Sequence, residues 1–557
     1  MKRFFKKYKP HWKIVLSAAL YVFAFPHWDY SFLAWFCLIP WLSHFQNQNK
    51  LSEVFIQSIW LSMLITFGGF YWVTYSISQY GNLPVSISLI GLVLFGFICQ
   101  PTIITYSFIR FIAQKKFLDN KKNKPAFLLC VLLGLSFFYT GFDVSIHKLF
   151  KDTLGHAFYK NELLRQVADI GGAGILTFIC VFFNEALFLL IDKLKKRTEP
   201  SIWPSVKESL PSFGLSVLLI ALTLTYGFFR NDFIKNKIKK PIKTVYAGVI
   251  QANIGDFDKV ASETGSWHAA DKILSTYIEL SNKSIMTNPQ PDFIVWPETA
   301  YPTIFGHPDT NRELKRDARI KNFVKKRNIP LLFGGYDTNG KKDFNSLFVL
   351  HPSPTANEKN IKKLQIYHKN VLLPFGEYIP GFGEDSIFKS IFPQMGFFGQ
   401  GPGPEVYSVF TANKSFKVSP IICYEALFPN YIIGGANKGS EIILNITNDS
   451  WFGQYGEPYL HFALTVFRSI ESRLPQIRST NTGITALILP SGEIKNKTGV
   501  FKKTTVNMSI PITSDIPTLM KSWGDWFGKT SLLLGLAFLT FVFTSRKRQT
   551  HKYLKRR

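Results

Sequence analysis

The chain has 557 residues, a formal net charge of +28 and a hydrophobic fraction of 46%, with 53 phenylalanines. This length is sufficient for two or three domains. Soluble basic proteins such as nucleic-acid binders are rarely so apolar and aromatic, and the combination is typical of a membrane protein whose lysines and arginines gather at one membrane face.

The first part of the chain, residues 1–230, is predicted to form a transmembrane helical domain with about seven apolar segments. These segments lie near residues 13–25, 31–45, 54–76, 84–112, 125–142, 172–192 and 212–229. The first two are shorter than the roughly 20 residues that a span needs, so we expect a broken or re-entrant pair around Pro26. An eighth segment at 529–545 is predicted to be a C-terminal transmembrane helix, followed by a basic cytoplasmic tail at 546–557.

Basic residues are concentrated in alternate loops between these segments. Lysine and arginine are frequent in residues 1–12, 113–124, 193–207 and 546–557, whereas loop 77–83 has none. Because basic loops stay in the cytoplasm, this pattern predicts that both chain termini are cytoplasmic. The basic segment 230–243 falls on the outer side, but long translocated segments largely escape this rule.

The composition changes between residues 244 and 515, where short apolar strands alternate with polar and helical stretches. Strands are predicted at 244–252, 292–296, 330–334, 345–350, 364–368, 416–422, 441–447, 476–480 and 484–490, and helices at 267–284, 309–327 and 457–472. The tripeptide Pro490-Ser491-Gly492 is typical of a hairpin turn. Strands interleaved with helices predict an α/β domain with its helices outside the sheet.

Cys423 is the only one of five cysteines that lies outside the apolar segments, so it has no obvious disulfide partner there. It follows the apolar residues Ile421 and Ile422 and precedes a short helical start. At such a corner the free N–H groups and the helix dipole favour a thiolate, which makes Cys423 a candidate nucleophile. The alternative is a buried structural cysteine. The sequence has no CxxC or Cys/His cluster with zinc spacing, which argues against a metal site.

Two further polar residues follow predicted strands. Glu298 ends the sequence Trp296-Pro297-Glu298, where Trp296 would partly desolvate a general base. Lys369 follows the strand at 364–368 and precedes an apolar turn, where a lysine can stabilise a developing oxyanion. Taken singly, Glu298 has a simpler interpretation as a solvated or helix-capping glutamate, and Lys369 as a surface lysine. Together with Cys423 they form a Glu-Lys-Cys set in that chain order.

This set resembles the nitrilase, or carbon–nitrogen hydrolase, superfamily, and nearly the whole chain resembles its membrane-bound apolipoprotein N-acyltransferase family. The matching motifs are Trp296-Pro297-Glu298, Asn345-Ser346-Leu347, Lys369 with Leu373-Pro374-Phe375-Gly376-Glu377, Cys423-Tyr424-Glu425, Asn448-Asp449-Ser450-Trp451-Phe452 and Arg478-Ser479-Thr480-Asn481-Thr482-Gly483. The family places a tryptophan shortly after the motif at 251–254. Here residues 255–266 look like an extra stretch, with Trp267 as the candidate equivalent.

The resemblance implies an αββα sandwich at 244–515, on the periplasmic side of the inner membrane of a bacterium. It also implies the last step of lipoprotein maturation, without a cofactor or metal ion. In that reaction Glu298 accepts the proton of Cys423, the thiolate takes an acyl chain from a membrane phospholipid as a thioester, and Lys369 stabilises the oxyanion. The acceptor is the N-terminal amine of a diacylglyceryl-cysteine on an apolipoprotein. Supporting roles are implied for Asn345, Glu377, Tyr424, Glu425 and Trp451.

Two other functions stay open at this point. A membrane-tethered amidase or nitrilase would use the same three residues to hydrolyse a small amide, and a non-catalytic scaffold would have lost at least one of them. The apolar, Gly/Pro-rich loop 386–404 favours a lid that dips into lipid, with ordinary core packing as the alternative. We interpret His351 and His461 as structural. For Glu185, inside an apolar segment, a lipid-headgroup contact and a structural bond are both open.

Overall fold

The computed structural model describes residues 9–81, 83–119, 123–146, 148–196, 201–263, 265–352, 363–381 and 397–545. An N-terminal helical part is followed by a part with two β-sheets and then by one long apolar helix. This architecture confirms the predicted combination of a multi-span helical region with an α/β sandwich. The basic tail 546–557 lies outside the described residues.

The N-terminal part is built from helices joined by short turns. They are α1 (Trp12–Ala24), α2 (Ile39–Phe45), α3 (Leu51–Gly69), α4 (Trp72–Tyr80), α5 (Val85–Cys99), α6 (Pro101–Ala113), α7 (Pro125–Ser145), α8 (Ala168–Lys195) and α9 (Trp203–Lys239). Single 3₁₀ or π-helical turns lie at Ser31–Trp35, Gln114–Leu118, Leu154–Phe158 and Leu164–Val167.

Among the described residues, five helices are long and apolar enough to cross a membrane. They are Leu51–Gly69, Pro125–Ser145, Leu164–Lys195, Val206–Lys239 and Trp526–Thr544. A sixth span results if Val85–Ile98 and Pro101–Leu118, which are bent by 46° relative to each other, count as one. The helices at Trp12–Ala24 and Ser31–Phe45 are shorter than a span, as predicted for this region. This set of helices is that of a membrane protein.

Two predicted apolar segments are divided in the structure. In the segment at 54–76 the first helix ends at Gly69, where two successive glycines weaken the helix. The segment at 84–112 breaks before Pro101, because proline has no N–H to donate to the preceding turn. In contrast, α9 continues to Lys239, so most of the basic segment 230–243 is helical.

The second part contains two six-stranded sheets, with strand orders β12-β1-β2-β3-β4-β5 and β11-β10-β9-β8-β7-β6. The strands are β1 (Lys243–Gln251), β2 (Phe293–Val295), β3 (Leu331–Thr338), β4 (Asp343–Leu350), β5 (Leu364–His368), β6 (Tyr407–Phe410), β7 (Ser415–Ile422), β8 (Ile442–Thr447), β9 (Gln476–Thr480), β10 (Ala486–Ile488), β11 (Ile494–Lys495) and β12 (Thr504–Ile512). The helices are α10 (Asp256–Glu263), α11 (Trp267–Ile285), α12 (Asn311–Arg327), α13 (Pro429–Asn437), α14 (Glu457–Ser472), α15 (Leu519–Trp523) and α16 (Trp526–Thr544).

The two sheets pack face to face around one apolar core. Val249 and Val295 of the first sheet and Ile422 and Leu444 of the second are fully buried in the same cluster. Helices α11 and α12 cover the outer face of the first sheet, where Tyr277 belongs to a second buried cluster. Helices α13 and α14 lie on the other side, against the second sheet and the helical part. The result is the αββα order that the family resemblance implies.

A buried polar contact joins the sandwich to the helical part. Arg473, which follows α14, donates to Asp169 Oδ2 over 2.7 Å and to Gln166 Oε1 over 2.7 Å. Arg230 of α9 also donates to Asp169 Oδ2, over 2.7 Å. Apolar residues of α14, including Phe467, belong to the same buried cluster as the core of the helical part. The strand ends that carry the site residues are therefore fixed next to the membrane helices.

Candidate active site

The three residues predicted to act together all lie just beyond the ends of strands. Glu298 follows β2, Lys369 follows β5 and Cys423 follows β7, and their exposed fractions are 6%, 2% and 8%. The charges of Glu298 and Lys369 both act on the pKa of the Cys423 thiol. The fold therefore brings the three side chains into one buried site.

Lys369 lies between two carboxylates. Its Nζ atom is 3.4 Å from Glu298 Oε1 and 2.8 Å from Glu377 Oε1. Burial alone lowers the pKa of Lys369, but the charges of Glu377 and Glu298 outweigh it and raise the pKa above its ordinary value. Lys369 is therefore a fixed positive charge at neutral pH.

Glu298 is oriented by donors on both of its carboxylate oxygens. Oε1 accepts from Asn345 Nδ2 over 2.8 Å, and Oε2 accepts from the backbone N–H of Asn448 over 2.8 Å. Asn345 also donates to Glu377 Oε1 over 2.9 Å, so it links the two carboxylates that flank Lys369. This arrangement fixes the position of Glu298 next to the lysine.

Gly334 of β3 packs directly against the backbone of Glu298, and this contact gives a first prediction. A Cβ at position 334 would lie 2.6 Å from Glu298 Cα, closer than real Cβ atoms approach other atoms. We expect Gly334→Ala to displace Glu298 and lower activity by about 100-fold, the cost of an error of about 1 Å in a catalytic group. Gly340→Ala, in the exposed turn after β3, is a poor control because Gly340 has a φ of +80°. Gly499→Ala, where a Cβ meets only Lys502, is the matched control and should retain activity.

Cys423 sits at a sharp corner between β7 and a 3₁₀ turn at Cys423–Leu427. Its φ angle is +51°, a conformation that non-glycine residues rarely adopt and that is often retained at functional sites. Burial raises the pKa of the Cys423 thiol, and the charge of Glu298 adds to this, while Lys369 acts in the opposite direction. The corner does not favour a resting thiolate as expected, because desolvation of the thiol and the charge of Glu298 outweigh the charge of Lys369. The thiol is protonated at rest and needs a base.

Glu425, two residues after the nucleophile, connects the cysteine corner with the lysine loop. Its Oε1 accepts from the backbone N–H groups of Asn370 and Val371, over 2.7 and 3.1 Å. Its Oε2 accepts from the Ile422 N–H over 2.7 Å and from the Tyr367 hydroxyl over 2.6 Å. Glu425 therefore holds the loop that carries Lys369 against the strand that carries Cys423, and Glu377 contacts the lysine itself.

Tyr424 and Trp451 occupy positions on the side that faces the helical part. The Tyr424 hydroxyl donates to the Leu149 carbonyl over 2.7 Å. Trp451 is half-buried in the 3₁₀ turn Asp449–Phe452, and its neighbour Phe452 packs edge-on against Trp72 of α4 at 5.3 Å. These contacts connect the site to the membrane helices. The catalytic roles proposed for the two residues stay predictions.

Lys259 is a site residue that the sequence reasoning missed. The stretch 255–266, interpreted as an addition of uncertain role, contains helix α10, and Lys259 on this helix is 6% exposed. Its Nζ contacts the Thr299 hydroxyl. Together with Tyr277, Glu298 and Asn481, it lines a small cavity next to the catalytic carboxylate. No feature of the sequence distinguishes this lysine from the many others in the chain.

The loop 386–404, predicted to be a lid, is described only in part. Residues 387–395, which carry most of its apolar side chains, lie outside the described residues. Phe398 stacks on Tyr336 at 5.6 Å, and its backbone N–H donates to the Glu377 carbonyl over 3.2 Å. The described end of the loop therefore packs next to the lysine and its carboxylate partner, and the lid stays a prediction.

Glu185 forms a buried ion pair inside the helical part. Its Oε1 accepts from Arg110 Nε over 2.7 Å and from the Tyr106 hydroxyl over 2.5 Å, and its side chain is fully buried. Of the two interpretations that the sequence left open, these contacts favour the structural bond.

A second buried polar cluster lies behind the nucleophile. In the described part of the chain, Asp449, Glu457 and His461 form the one group whose side chains offer three metal-ligand atoms within 4.8 Å of one another. Arg478 already donates to Asp449 Oδ2 over 2.9 Å, and it lies 3.2 Å from His461 Nδ1. Its positive charge repels a further cation at this position, so we assign no metal ion. The predicted absence of a cofactor stays a prediction.

Glu457 in this cluster gives a prediction about stability and pH. Burial and the charge of Asp449 raise the pKa of Glu457 to about 7, above the ordinary value of 4.5. Between these values the unfolded chain loses the proton that the folded chain keeps, so this group contributes less to stability as pH rises. We expect the unfolding temperature of the wild type minus that of Glu457→Gln to fall from pH 4.5 to 7 and then stay level. A difference that rises or stays constant over this range would contradict the assignment.

Comparisons with known proteins agree with this architecture. Residues 247–514 match the carbon–nitrogen hydrolase family, and residues 17–186 match the apolipoprotein N-acyltransferase N-terminal domain. The chain is 28% identical over 550 residues to an apolipoprotein N-acyltransferase of Bdellovibrio bacteriovorus, across 94% of this chain and 93% of the relative. It is 28% identical to that of Geobacter metallireducens, across 97% and 96% of the two chains.

A third relative is the apolipoprotein N-acyltransferase of Rickettsia typhi, which is 30% identical over 394 residues and is matched across 70% of both chains. The two matched families follow each other along the chain in the order of the helical part and the sandwich. The resemblance seen in the sequence motifs is thus confirmed over nearly the whole length, and the chain belongs to the apolipoprotein N-acyltransferase family.

Proposed function

We propose that this membrane enzyme is an acyltransferase that moves an acyl chain from a phospholipid to the N-terminal amine of a diacylglyceryl-cysteine on an apolipoprotein. Membership of the apolipoprotein N-acyltransferase family supports acyl transfer to a lipoprotein as the reaction. The observation that carries the chemistry is the buried Glu298–Lys369–Cys423 site, built from residues that follow β2 and β5 of the first sheet and β7 of the second. The alternative of a scaffold with a degenerate site is disfavoured, because all three side chains are present and oriented.

The first step forms a thioester on Cys423. Glu298 accepts the thiol proton, and the sulfur attacks the ester carbonyl of the donor. The C–O bond then breaks as Glu298 returns the proton to the departing oxygen, which releases a lysophospholipid. The raised pKa of Cys423 makes this base necessary. Lys369, held 2.8 Å from Glu377, lies where its ammonium can stabilise the oxyanion of the tetrahedral intermediate.

The second step transfers the acyl chain to the acceptor. The amine of the diacylglyceryl-cysteine attacks the thioester carbonyl, the C–S bond breaks, and the sulfur leaves. Glu298 takes a proton from the attacking nitrogen and passes it to the departing sulfur, so the thiol and the base return to their starting state. The backbone N–H of Tyr424, which follows the nucleophile, supplies a second donor to the oxyanion in both steps.

The position of the site suits two lipid substrates. The sandwich packs on the membrane helices through Arg473 and α14, and Phe452 next to Trp451 touches Trp72 of α4. We propose that residues 244–515 form the catalytic domain on the periplasmic side and that 1–230 and 529–545 span the inner membrane, with both termini in the cytoplasm. Alternate basic loops support this orientation.

The function is tested with the purified full-length enzyme in vesicles of dioleoylphosphatidylethanolamine. We expect it to convert a synthetic diacylated lipopeptide with a free N-terminal amine into the N-acylated product. The same lipopeptide with an acetylated amine is the matched control and should stay unchanged. Release of ammonia from small amides, with no N-acylated lipopeptide, would instead identify a membrane-tethered amidase.

A further inference from the structure

A buried histidine contacts the nucleophile from behind. His461 of α14 is 2% exposed, and its Nε2 lies 3.3 Å from the backbone carbonyl oxygen of Cys423. This contact joins a side chain 38 residues away to the peptide group that directly follows the reactive thiol. The two-step mechanism above assigns no role to it.

The surroundings of His461 determine where its hydrogens lie. A carbonyl oxygen only accepts, so Nε2 carries a hydrogen and donates it to Cys423. Nδ1 lies 3.3 Å from Asp449 Oδ1 and 3.2 Å from Glu457 Oε1. Burial and the charge of Arg478 lower the pKa of His461, but the hydrogen bonds to the two carboxylates outweigh them, and the pKa is raised. Nε2 donates to the carbonyl both in the neutral tautomer that carries its hydrogen on Nε2 and in the imidazolium, so the contact does not depend on the charge of the ring.

The peptide bond after Cys423 links this contact to the reaction, because it joins the Cys423 carbonyl and the Tyr424 N–H in one rigid group. In a trans peptide the C=O and the following N–H point in opposite directions. Fixing the Cys423 carbonyl towards His461 therefore fixes the Tyr424 N–H on the opposite side of the same peptide. The φ of +51° at Cys423 is a strained value that needs such a contact to persist.

We propose that His461 is a positioning residue that, by donating to the Cys423 carbonyl, holds the Tyr424 N–H as the backbone donor to the oxyanion. Asp449 and Glu457 hold the imidazole in place through its other nitrogen, and Arg478 balances their charge. This inference rests on Cys423 as the nucleophile of the proposed function.

The test compares two reactions of the same thiol. Alkylation of Cys423 by iodoacetamide forms no oxyanion, whereas acylation by p-nitrophenyl butyrate passes through a tetrahedral oxyanion. In His461→Gln the side-chain amide reaches the position of Nε2 and can still donate to the carbonyl. In His461→Asn the shorter amide reaches only the position of Nδ1. The full-length enzyme is used throughout, and His351→Gln is the control. His351 is about as buried as His461, but its Nε2 accepts from the Phe410 N–H rather than donating to the Cys423 carbonyl.

We expect His461→Asn to acylate Cys423 about 10- to 100-fold more slowly than the wild type, the range for a displaced catalytic donor. His461→Gln should keep acylation within about fivefold of the wild type, which is less than 1 kcal/mol by the relation of about 1.4 kcal/mol per tenfold. Alkylation should stay within about twofold in both variants, and His351→Gln should be unchanged in both reactions.

Three results would overturn the proposal: unchanged acylation in His461→Asn, an equal loss in His461→Gln, or alkylation that falls in parallel with acylation. The last result would indicate a structural role or an effect on the thiol itself. If Cys423 is not the nucleophile, the wild type gives no butyryl adduct on Cys423 at all. That outcome refutes the proposed function, and it is distinct from each of the three.

Discussion

Replacing Cys423 with serine should lower the rate of lipopeptide N-acylation by at least about 10⁴-fold, because residues that act as one catalytic unit fail together when the nucleophile is lost. The serine hydroxyl has nearly the same size, so the fold should persist. Its pKa lies far above that of a thiol, and the Glu298 carboxylate cannot deprotonate it at a useful rate. The measurement is the initial rate of N-acylated lipopeptide formation in phospholipid vesicles.

Cys130→Ser is the matched control for this experiment. Cys130 lies on α7 and is an exposed free thiol, whereas Cys423 is buried. We expect Cys130→Ser to keep the wild-type rate. If Cys423→Ser retained more than a few per cent of the rate, the thioester mechanism would be refuted, since an uncatalysed transfer cannot supply that activity.

The second large effect is expected for Lys369→Met, which removes a buried charge and keeps much of the side-chain volume. Glu298 and Glu377, 3.4 and 2.8 Å from Nζ, would face each other without a cation. Leaving one partner of a buried pair alone costs about 3–5 kcal/mol of unfolding free energy. Loss of the oxyanion donor should lower kcat by about 10²- to 10³-fold.

The double variant Lys369→Met/Glu377→Gln separates these two effects. Removing one carboxylate relieves the repulsion, so stability should recover in part while kcat stays low. Lys341→Met, on an exposed turn, is the control for loss of a lysine and should match the wild type in both measurements. Recovery of kcat together with stability in the double variant would show that Lys369 is structural and has no part in stabilising the oxyanion.

Much of the sandwich could be predicted from the sequence because its strands are short, apolar and bounded by turns. The strand predicted at 476–480 has the observed bounds, and the hairpin turn at 490–492 connects β10 with β11. Strand β12, at Thr504–Ile512, was missed. Its apolar residues Val506, Met508, Ile510 and Ile512 alternate along the chain as in a half-buried strand, and its place is set by antiparallel pairing with distant β1.

The membrane helices show the limit of hydropathy as a guide. Apolar runs locate the segments but do not show where a helix breaks. The pair α3 and α4 and the pair α5 and α6 were therefore each predicted as one continuous segment. The breaks depend on local backbone features, such as Pro101 after Gln100. The kink at Gly171 and Gly172 inside α8 is another feature that apolar composition conceals.

The Glu-Lys-Cys set could be predicted because each residue follows a strand, and the fold brings these strand ends together. The environment of the set could not. The protonated state of Cys423 depends on how deeply the corner is buried, and the roles of Lys259 and His461 depend on contacts with Thr299 and with the Cys423 carbonyl. Neither contact has a signature along the chain, because the partners are distant in sequence.

The most direct test of the account follows the acyl chain through Cys423 by mass spectrometry. The full-length enzyme is incubated with dioleoylphosphatidylethanolamine vesicles, digested and analysed before and after addition of the diacylated lipopeptide. We expect one oleoyl group on Cys423 and, once the acylated enzyme has been separated from the vesicles, its loss on addition of the lipopeptide as oleoyl-lipopeptide appears in equal amount. Formation of oleoyl-lipopeptide at the normal rate with an unmodified Cys423, under conditions that trap thioesters, would contradict it.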